Sequence, residues 1–162
     1  MVTGPAGVGK TAVCKELFKN TSGIAWLDAD WCWMVNPYPG KTSEQKKYAE
    51  TAFGYILRGY LDDINTEIIL FSWIMHNDFM FDLVTSHLTE KSYELIKIAL
   101  VCSDTEIYID RMKRDGRREE QLTADVDMQR FIQLSKINVV DVTNLTIKET
   151  ATRILDIIRH AK

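Results

Sequence analysis

Paired cysteines are missing from this sequence. Cys14, Cys32 and Cys102 are its only three, odd in number, widely spaced and without a CxxC step. That pattern indicates neither a disulfide framework nor a zinc site and reads as reduced cytosolic thiols. A basic excess is missing too. With 20 Lys and Arg against 23 Asp and Glu, the formal net charge is −3, so no global footprint for nucleic acid exists and phosphate handling must come from local clusters. The longest apolar run, IILFSWIM at 68–75, is far short of the roughly 20 residues of a membrane helix. No charged and then apolar leader opens the chain. The expectation is a cytoplasmic protein with neither a membrane nor a nucleic-acid partner. Linkers, repeats and low-complexity stretches are also absent, so the 162 residues read as one domain, 1–162, long enough to bury roughly 70% of its unfolded surface.

Helical and strand patterns alternate from end to end, which predicts an α/β domain with a mainly parallel sheet. Lys10 to Lys19 spaces Ala12, Val13, Leu17 and Phe18 as a helix, stopped by the turn formers Asn20 to Gly23. Ile24 to Leu27 reads as a strand, and NPYPG at 36–40 as a turn. Thr42 with Gln45 predicts a capping box for a long helix that buries Ala49, Ala52, Phe53, Ile56, Leu57, Tyr60 and Leu61. IILFSWIM is continuous and rich in β-branched and aromatic residues, the pattern of a strand buried on both faces. A short helix from His76 to Leu88 follows, then a strand in ELIKIALVC at 94–102 and a second capping box, Ser103 with Glu106. Residues 124–137 read as a helix with Val126, Met128, Phe131, Ile132 and Leu134 mostly on one side. VVDV is the last strand, and Thr146 with Glu149 caps a helix through Ile154, Leu155 and Ile158.

The opening MVTGPAGVGKT carries the most specific signal. Gly4, Pro5, Ala6, Gly7, Val8, Gly9, Lys10 and Thr11 match G-x-x-x-x-G-K-[ST] in full. Glycines let the backbone curl so that successive N–H groups converge on phosphate oxygens, and the following helix brings its positive end to the same place. Lys10 would neutralise the outer phosphates and the Thr11 hydroxyl would ligate Mg²⁺. Only Met1, Val2 and Thr3 precede Gly4, whereas a strand usually has ~5–6 residues. The first strand is therefore expected to be truncated, and a chain extended upstream to be more stable.

Two further stretches bear charge where chemistry needs it. In LDADW, Asp28 and Asp30 fall on one side of an extended chain if the strand continues, since strand side chains repeat every two residues. At the carboxyl end of that strand they would stand by the ligand crevice, Asp30 to orient or deprotonate an acceptor hydroxyl and Asp28 to reach Mg²⁺. The other readings are solvated loop carboxylates or a helix cap before Trp31. Trp31, Trp33 and Tyr38 fit either a flat acceptor pocket or ordinary packing. In RMKRDGRREEQ, Arg111 and Arg114 share a helix spacing while Arg117 and Arg118 follow Gly116. Guanidinium forks suit the oxygens of a phosphoryl group in transfer, and pairing with Asp115, Glu119 and Glu120 is the alternative.

With these motifs the chain resembles the small P-loop kinases, which include nucleoside monophosphate, shikimate, gluconate and adenylyl-sulfate kinases and chloramphenicol phosphotransferase. The resemblance covers nearly the whole chain in element order. It implies a three-layer fold, a five-stranded parallel sheet in the order 2-3-1-4-5 with helices on both faces. It further implies ATP as phosphate donor, a carboxylate after the second strand facing the acceptor in a region of about 30–65, and an arginine lid at about 111–123 supplied by Arg114, Arg117 and Arg118. By the same resemblance, backbone near Thr143 and Asn144 in VDVTNLT would wrap the adenine. No N-K-x-D motif marks a GTPase, the length is short for an AAA+ module with its helical subdomain, and the acceptor motifs of shikimate and adenylate kinases are missing. No Walker B aspartate ends IILFSWIM, where Ser72 or Asp78 would have to assist the metal. His76 is a further substrate contact or a surface histidine. The expected function is ATP-dependent transfer of phosphate to a small hydroxyl- or phosphate-bearing acceptor, a nucleotide ahead of an antibiotic or metabolite hydroxyl. The competing reading is an ATP-binding regulatory module.

Overall fold

A computed structural model describes residues 1–35, 42–114, 116 and 129–161. Strand β1 (Val2–Thr3) leads through the glycine-rich loop to α1 (Lys10–Asn20), then β2 (Ile24–Asp28), a 3₁₀ turn (Ala29–Trp33) and α2 (Ser43–Asp62). Next come β3 (Ile68–Ser72), α3 (Asp78–Ser86), β4 (Lys97–Val101), α4 (Thr105–Arg114), α5 (Gln129–Ile132), β5 (Ile137–Asp141) and α6 (Ile147–His160). The strands form one sheet in the order β2-β3-β1-β4-β5, every neighbouring pair parallel. This is the expected α/β architecture, with a first strand of only two residues.

Side-chain alternation along the strands divides the core in two. Leu70, Ile98, Leu100 and Val140 point to one face, where they pack with Val13 and Leu17 of α1, Tyr108 and Met112 of α4, and Ile154 and Ile158 of α6. Leu27, Phe71, Ala99 and Val101 point to the other, against Phe53 and Leu57 of α2, Phe81 and Val84 of α3, and Phe131 and Leu134. Both sides of the sheet are thus covered, which is why the strands read as continuous apolar runs. Two capping boxes form as expected, Thr42 with Gln45 and Thr146 with Glu149.

Several boundaries differ from the sequence reading. IILFSWIM leaves the sheet after Ser72, because Met75 turns its N–H and C=O onto the Thr3 hydroxyl at 2.7 and 2.9 Å. ELIKIALVC contributes only Lys97–Val101 to β4. The cap of α4 is Asp104, whose Oδ1 accepts from the N–H groups of Glu106 and Ile107 at 2.9 and 3.0 Å; Ser103 is bonded elsewhere. Within 124–137, the described helix is Gln129–Ile132, and the chain turns at Lys136 (φ 54°) into a strand that already includes Ile137. Val126 and Met128 lie outside the described residues. Among the described residues, no helix is long and apolar enough to cross a membrane.

Candidate active site

The loop between β1 and α1 follows from its glycines. Gly4, Gly7 and Gly9 have φ of 143°, 80° and 108°, values that L side chains rarely adopt. At Gly4 a Cβ would stand 2.3 Å from the Leu100 carbonyl oxygen, so the loop lies against β4; at Gly9 it would meet nothing within 4 Å. Gly9 caps α1 without a side-chain hydrogen bond. The first-turn N–H groups of α1 thus receive no cap from Gly9, the arrangement in which a helix start accepts an anion.

Lys10 folds back over this loop, its Nζ donating to the carbonyls of Gly4 and Pro5 at 2.9 Å each. Thr11, exposed at the start of α1, donates its hydroxyl to Asp28 Oδ2 at 2.9 Å. Phosphate loop and β2 end are therefore tied together. Asp28 is buried, and its Oδ1 accepts from the Asp30 N–H at 3.1 Å. That bond caps the 3₁₀ turn and corrects the expectation for the two carboxylates. The strand stops at Asp28, so Asp30 sits one step into the turn, exposed, rather than on the same side of an extended chain. Beside it, Trp31, Met34 and Val35 are exposed, with Trp31 edge-on to Trp26 at 4.7 Å between centroids. The Trp33 indole N–H is buried with no hydrogen-bond partner among the described residues.

The metal helpers considered on β3 and beyond are engaged in the framework. Ser72 is buried and accepts from Trp26 Nε1 at 3.1 Å. Asp78 pairs with Lys97 at 2.9 Å and accepts from the Ser135 N–H, contacts that hold its carboxyl below the usual range. His76 is exposed. Thiol chemistry is disfavoured, since burial pushes Cys14 up to about 12 and, with the Asp28 charge adding to it, raises Cys32 as well.

Helix α4 makes two contacts that sequence reasoning missed. The Tyr108 hydroxyl donates to the Ala6 carbonyl in the phosphate loop. One turn on, Arg111 Nη2 donates to the carbonyls of Val142 and Thr143, both at 2.9 Å. Arg111 therefore braces the loop after β5, whereas Arg114 is exposed at the end of α4. In that loop Thr143 donates its hydroxyl to Asp141 Oδ1 at 2.6 Å and accepts from the Ser103 N–H at 2.9 Å. Thr143 is thus committed to the loop's own structure, and Asn144 beside it is exposed. Burial works against the Asp141 charge, but the hydrogen bonds from Ser103 and Thr143 outweigh it and bring the carboxyl down to about 2. Its folded value lies below the ordinary 3.8, so its contribution to stability is present above that value and lost as pH falls towards 2. Asp141→Asn should flatten the acid limb of a stability profile between pH 4 and 2, and an unchanged limb would mean that these bonds add nothing. Arg117, Arg118 and Tyr38 lie outside the described residues.

Comparison with known proteins bears on the fold and family. The family model described as AAA domain matches residues 1–131. This corrects the argument from length against the AAA group; the match spans the phosphate loop and strands β1 to β4. No curated protein matches the chain in sequence. Among solved structures, a gluconokinase from Sinorhizobium meliloti 1021 superposes with a TM-score of 0.67 at 14% identity, over 99% of this chain and 90% of that one. A Candida albicans thymidylate kinase gives 0.61 at 15%, over 99% and 90%. The Deinococcus radiodurans tunicamycin resistance protein gives 0.65 at 15%, over 97% and 92%. At such identities the likeness is one of fold, and it is the fold of P-loop kinases.

Proposed function

Because this chain belongs to the AAA domain family and carries the P-loop kinase fold, we propose that it is an ATP- and Mg²⁺-dependent phosphotransferase acting on a small acceptor. One observation carries the reading. The 2.9 Å bond from Thr11 to Asp28 joins the start of α1 to the last residue of β2, so donor and acceptor elements meet at the carboxyl ends of the strands. In this reading the loop from Gly4 through Ala6, Gly7, Val8 and Gly9 receives the phosphates on its backbone amides, and Lys10 exchanges its loop carbonyls for their outer oxygens. Thr11 and Asp28 would hold Mg²⁺, an oxygen-ligand pair suited to a hard cation, which when bound neutralises phosphate charge. Asp30 orients the acceptor hydroxyl and withdraws its proton, with Trp31, Met34 and Val35 as the apolar wall of an acceptor region over about 30–65. Arg114, Arg117 and Arg118 form the lid over about 111–123, and Thr143 and Asn144 border the base.

Tyr108 and Arg111 are positioning residues in this scheme. One helix holds the phosphate loop at Ala6 and the base loop at Val142 and Thr143. Each bond is worth about 1 kcal/mol or somewhat more, so Tyr108→Phe and Arg111→Gln should each raise KM for ATP about fivefold and change kcat less. Equal KM values in variants that fold normally would reduce α4 to packing.

The substrate class is a nucleotide, or the hydroxyl of an antibiotic or metabolite. Ser72, bound to Trp26 where a metal-binding acid would be useful, favours a second reading, an ATP-binding regulatory module without transfer. The two are separated by ADP formation from Mg·ATP over nucleosides, nucleoside monophosphates, sugar acids and aminoglycoside- or chloramphenicol-like compounds. Stimulation by one class is expected of a kinase. ATP binding with no stimulation across the panel favours the module.

A further inference from the structure

Positive charge is unevenly spread along the chain. No lysine or arginine stands between Lys19 and Lys41, nor between Arg58 and Lys91, while these two stretches hold eight aspartates and glutamates. They supply β2 with the turn after it and β3 with its exit at 73–77, neighbouring strands at whose carboxyl ends the acceptor region begins. Along 29–35 and 73–77, His76 is the single basic side chain. Lys41 lies outside the described residues, and Lys46, Lys47 and Arg58 are exposed on α2. Arg111 is committed to the loop after β5, and Arg114, Arg117 and Arg118 are assigned above to the lid.

What these segments expose instead is apolar: Trp31, Met34 and Val35 after β2, and Ile74 and Phe79 after β3. Trp31 is also fixed, edge-on to Trp26, whose indole N–H is tied to Ser72. A fixed, half-exposed ring suits an apolar body. Helix starts point the same way. Gly9 leaves the start of α1 without a side-chain cap, and a polyphosphate can take those N–H groups. The starts of α2, α3, α4 and α6 are capped by Thr42, Asn77, Asp104 and Thr146, and Asp78 adds an acid to the first turn of α3. Of these five helices only α1 keeps its start open to an anion, and the donor uses it. Burial, with the Asp28 charge behind it, raises the Cys32 thiol, so the field of that carboxylate reaches across the turn.

We propose that the acceptor is an apolar alcohol that carries no phosphate group, bound with its hydroxyl at Asp30 and its body against Trp31, Met34 and Val35. The inference rests on the phosphotransferase reading and narrows its substrate class. A phosphate dianion about 5 Å from a carboxylate would lose roughly tenfold in affinity even at the dielectric of water, and 29–35 and 73–77 offer only His76 against it. An alcohol meets no such penalty and covers the apolar side chains. In transfer its oxygen bonds to the γ-phosphorus as the bond to the β–γ bridging oxygen breaks; the hydroxyl proton passes to Asp30 and ADP leaves with the electron pair.

The test titrates matched pairs, phenylethanol against phenylethyl phosphate and thymidine against thymidine monophosphate, into the chain with its donor site filled by Mg²⁺ and a non-hydrolysable ATP analogue. Binding is read from the NMR signals of the Met34 methyl and the Trp31 indole N–H. The alcohol should bind about tenfold or more tightly than its ester, and Met34→Arg, at an exposed position, should erase most of that difference. An ester that binds as tightly as its alcohol overturns the proposal. So does a set in which no alcohol moves the two signals, or a preference that Met34→Arg leaves intact. An alcohol that binds there without stimulating ADP formation would sink the phosphotransferase reading and keep this ligand class, whereas ADP formation with esters alone would do the reverse.

Discussion

Asp30→Asn should lower kcat of the acceptor-dependent reaction by about 10²–10⁴-fold, the range for loss of a general base, while the Kd for ATP stays within about twofold. The reasoning starts from where β2 ends. Asp28 faces inward, accepting from Thr11 and capping the turn, so its carboxylate is held on the donor side. Asp30 is exposed one step further on, beside Trp31, Met34 and Val35. The two acids of one tripeptide therefore predict different defects. Asp28→Asn keeps a good cap, since Asn caps as well as Asp does, but removes the charge that would face Mg²⁺. It should raise the magnesium concentration needed for half-maximal rate and weaken Mg·ATP binding. If Asp30→Asn retained wild-type kcat, or if both variants showed the same defect, the division of roles would be wrong.

Lys10→Ala should lower kcat by about 10²–10³-fold, the loss found when one aligned donor to a developing charge is removed. The partly buried ammonium now rests on the Gly4 and Pro5 carbonyls, groups that a bound phosphate chain would outcompete because it carries full negative charge. The variant gives up those two bonds in the absence of nucleotide, and its Tm should fall by only a few degrees. Rate loss with a largely preserved melting curve separates a phosphate-binding lysine from a loop brace. A fall in Tm large enough to account for the lost activity would assign Lys10 to holding the loop.

The parts of the site that could be read from sequence are those whose chemistry is local. Glycines that let the loop curl were visible in the sequence, and Gly4, Gly7 and Gly9 do take positive φ. Both capping boxes whose polar pair spans three residues at a true helix start were legible, whereas Ser103 with Glu106 was not, because Asp104 lies nearer the first free N–H groups of α4. The shared side for Asp28 and Asp30 failed for a related reason. Period-two reasoning holds only while a strand continues, and the Asp28 side chain itself ends this one by bonding the Asp30 N–H. Tyr108 and Arg111 were opaque because their partners lie 102 and 31 residues away. Tyr108 is also buried in the core, so its ring packs while its hydroxyl reaches the loop.

The most direct measurement follows the γ-phosphate itself. With ATP labelled at that position, Mg²⁺ and the acceptor that stimulates ADP release, the label should pass to the acceptor one-for-one with ADP formed, and Lys10→Ala should stop the transfer. Label that stays in ATP, or appears only as free phosphate whatever acceptor is present, would contradict the assignment of this chain as a phosphotransferase.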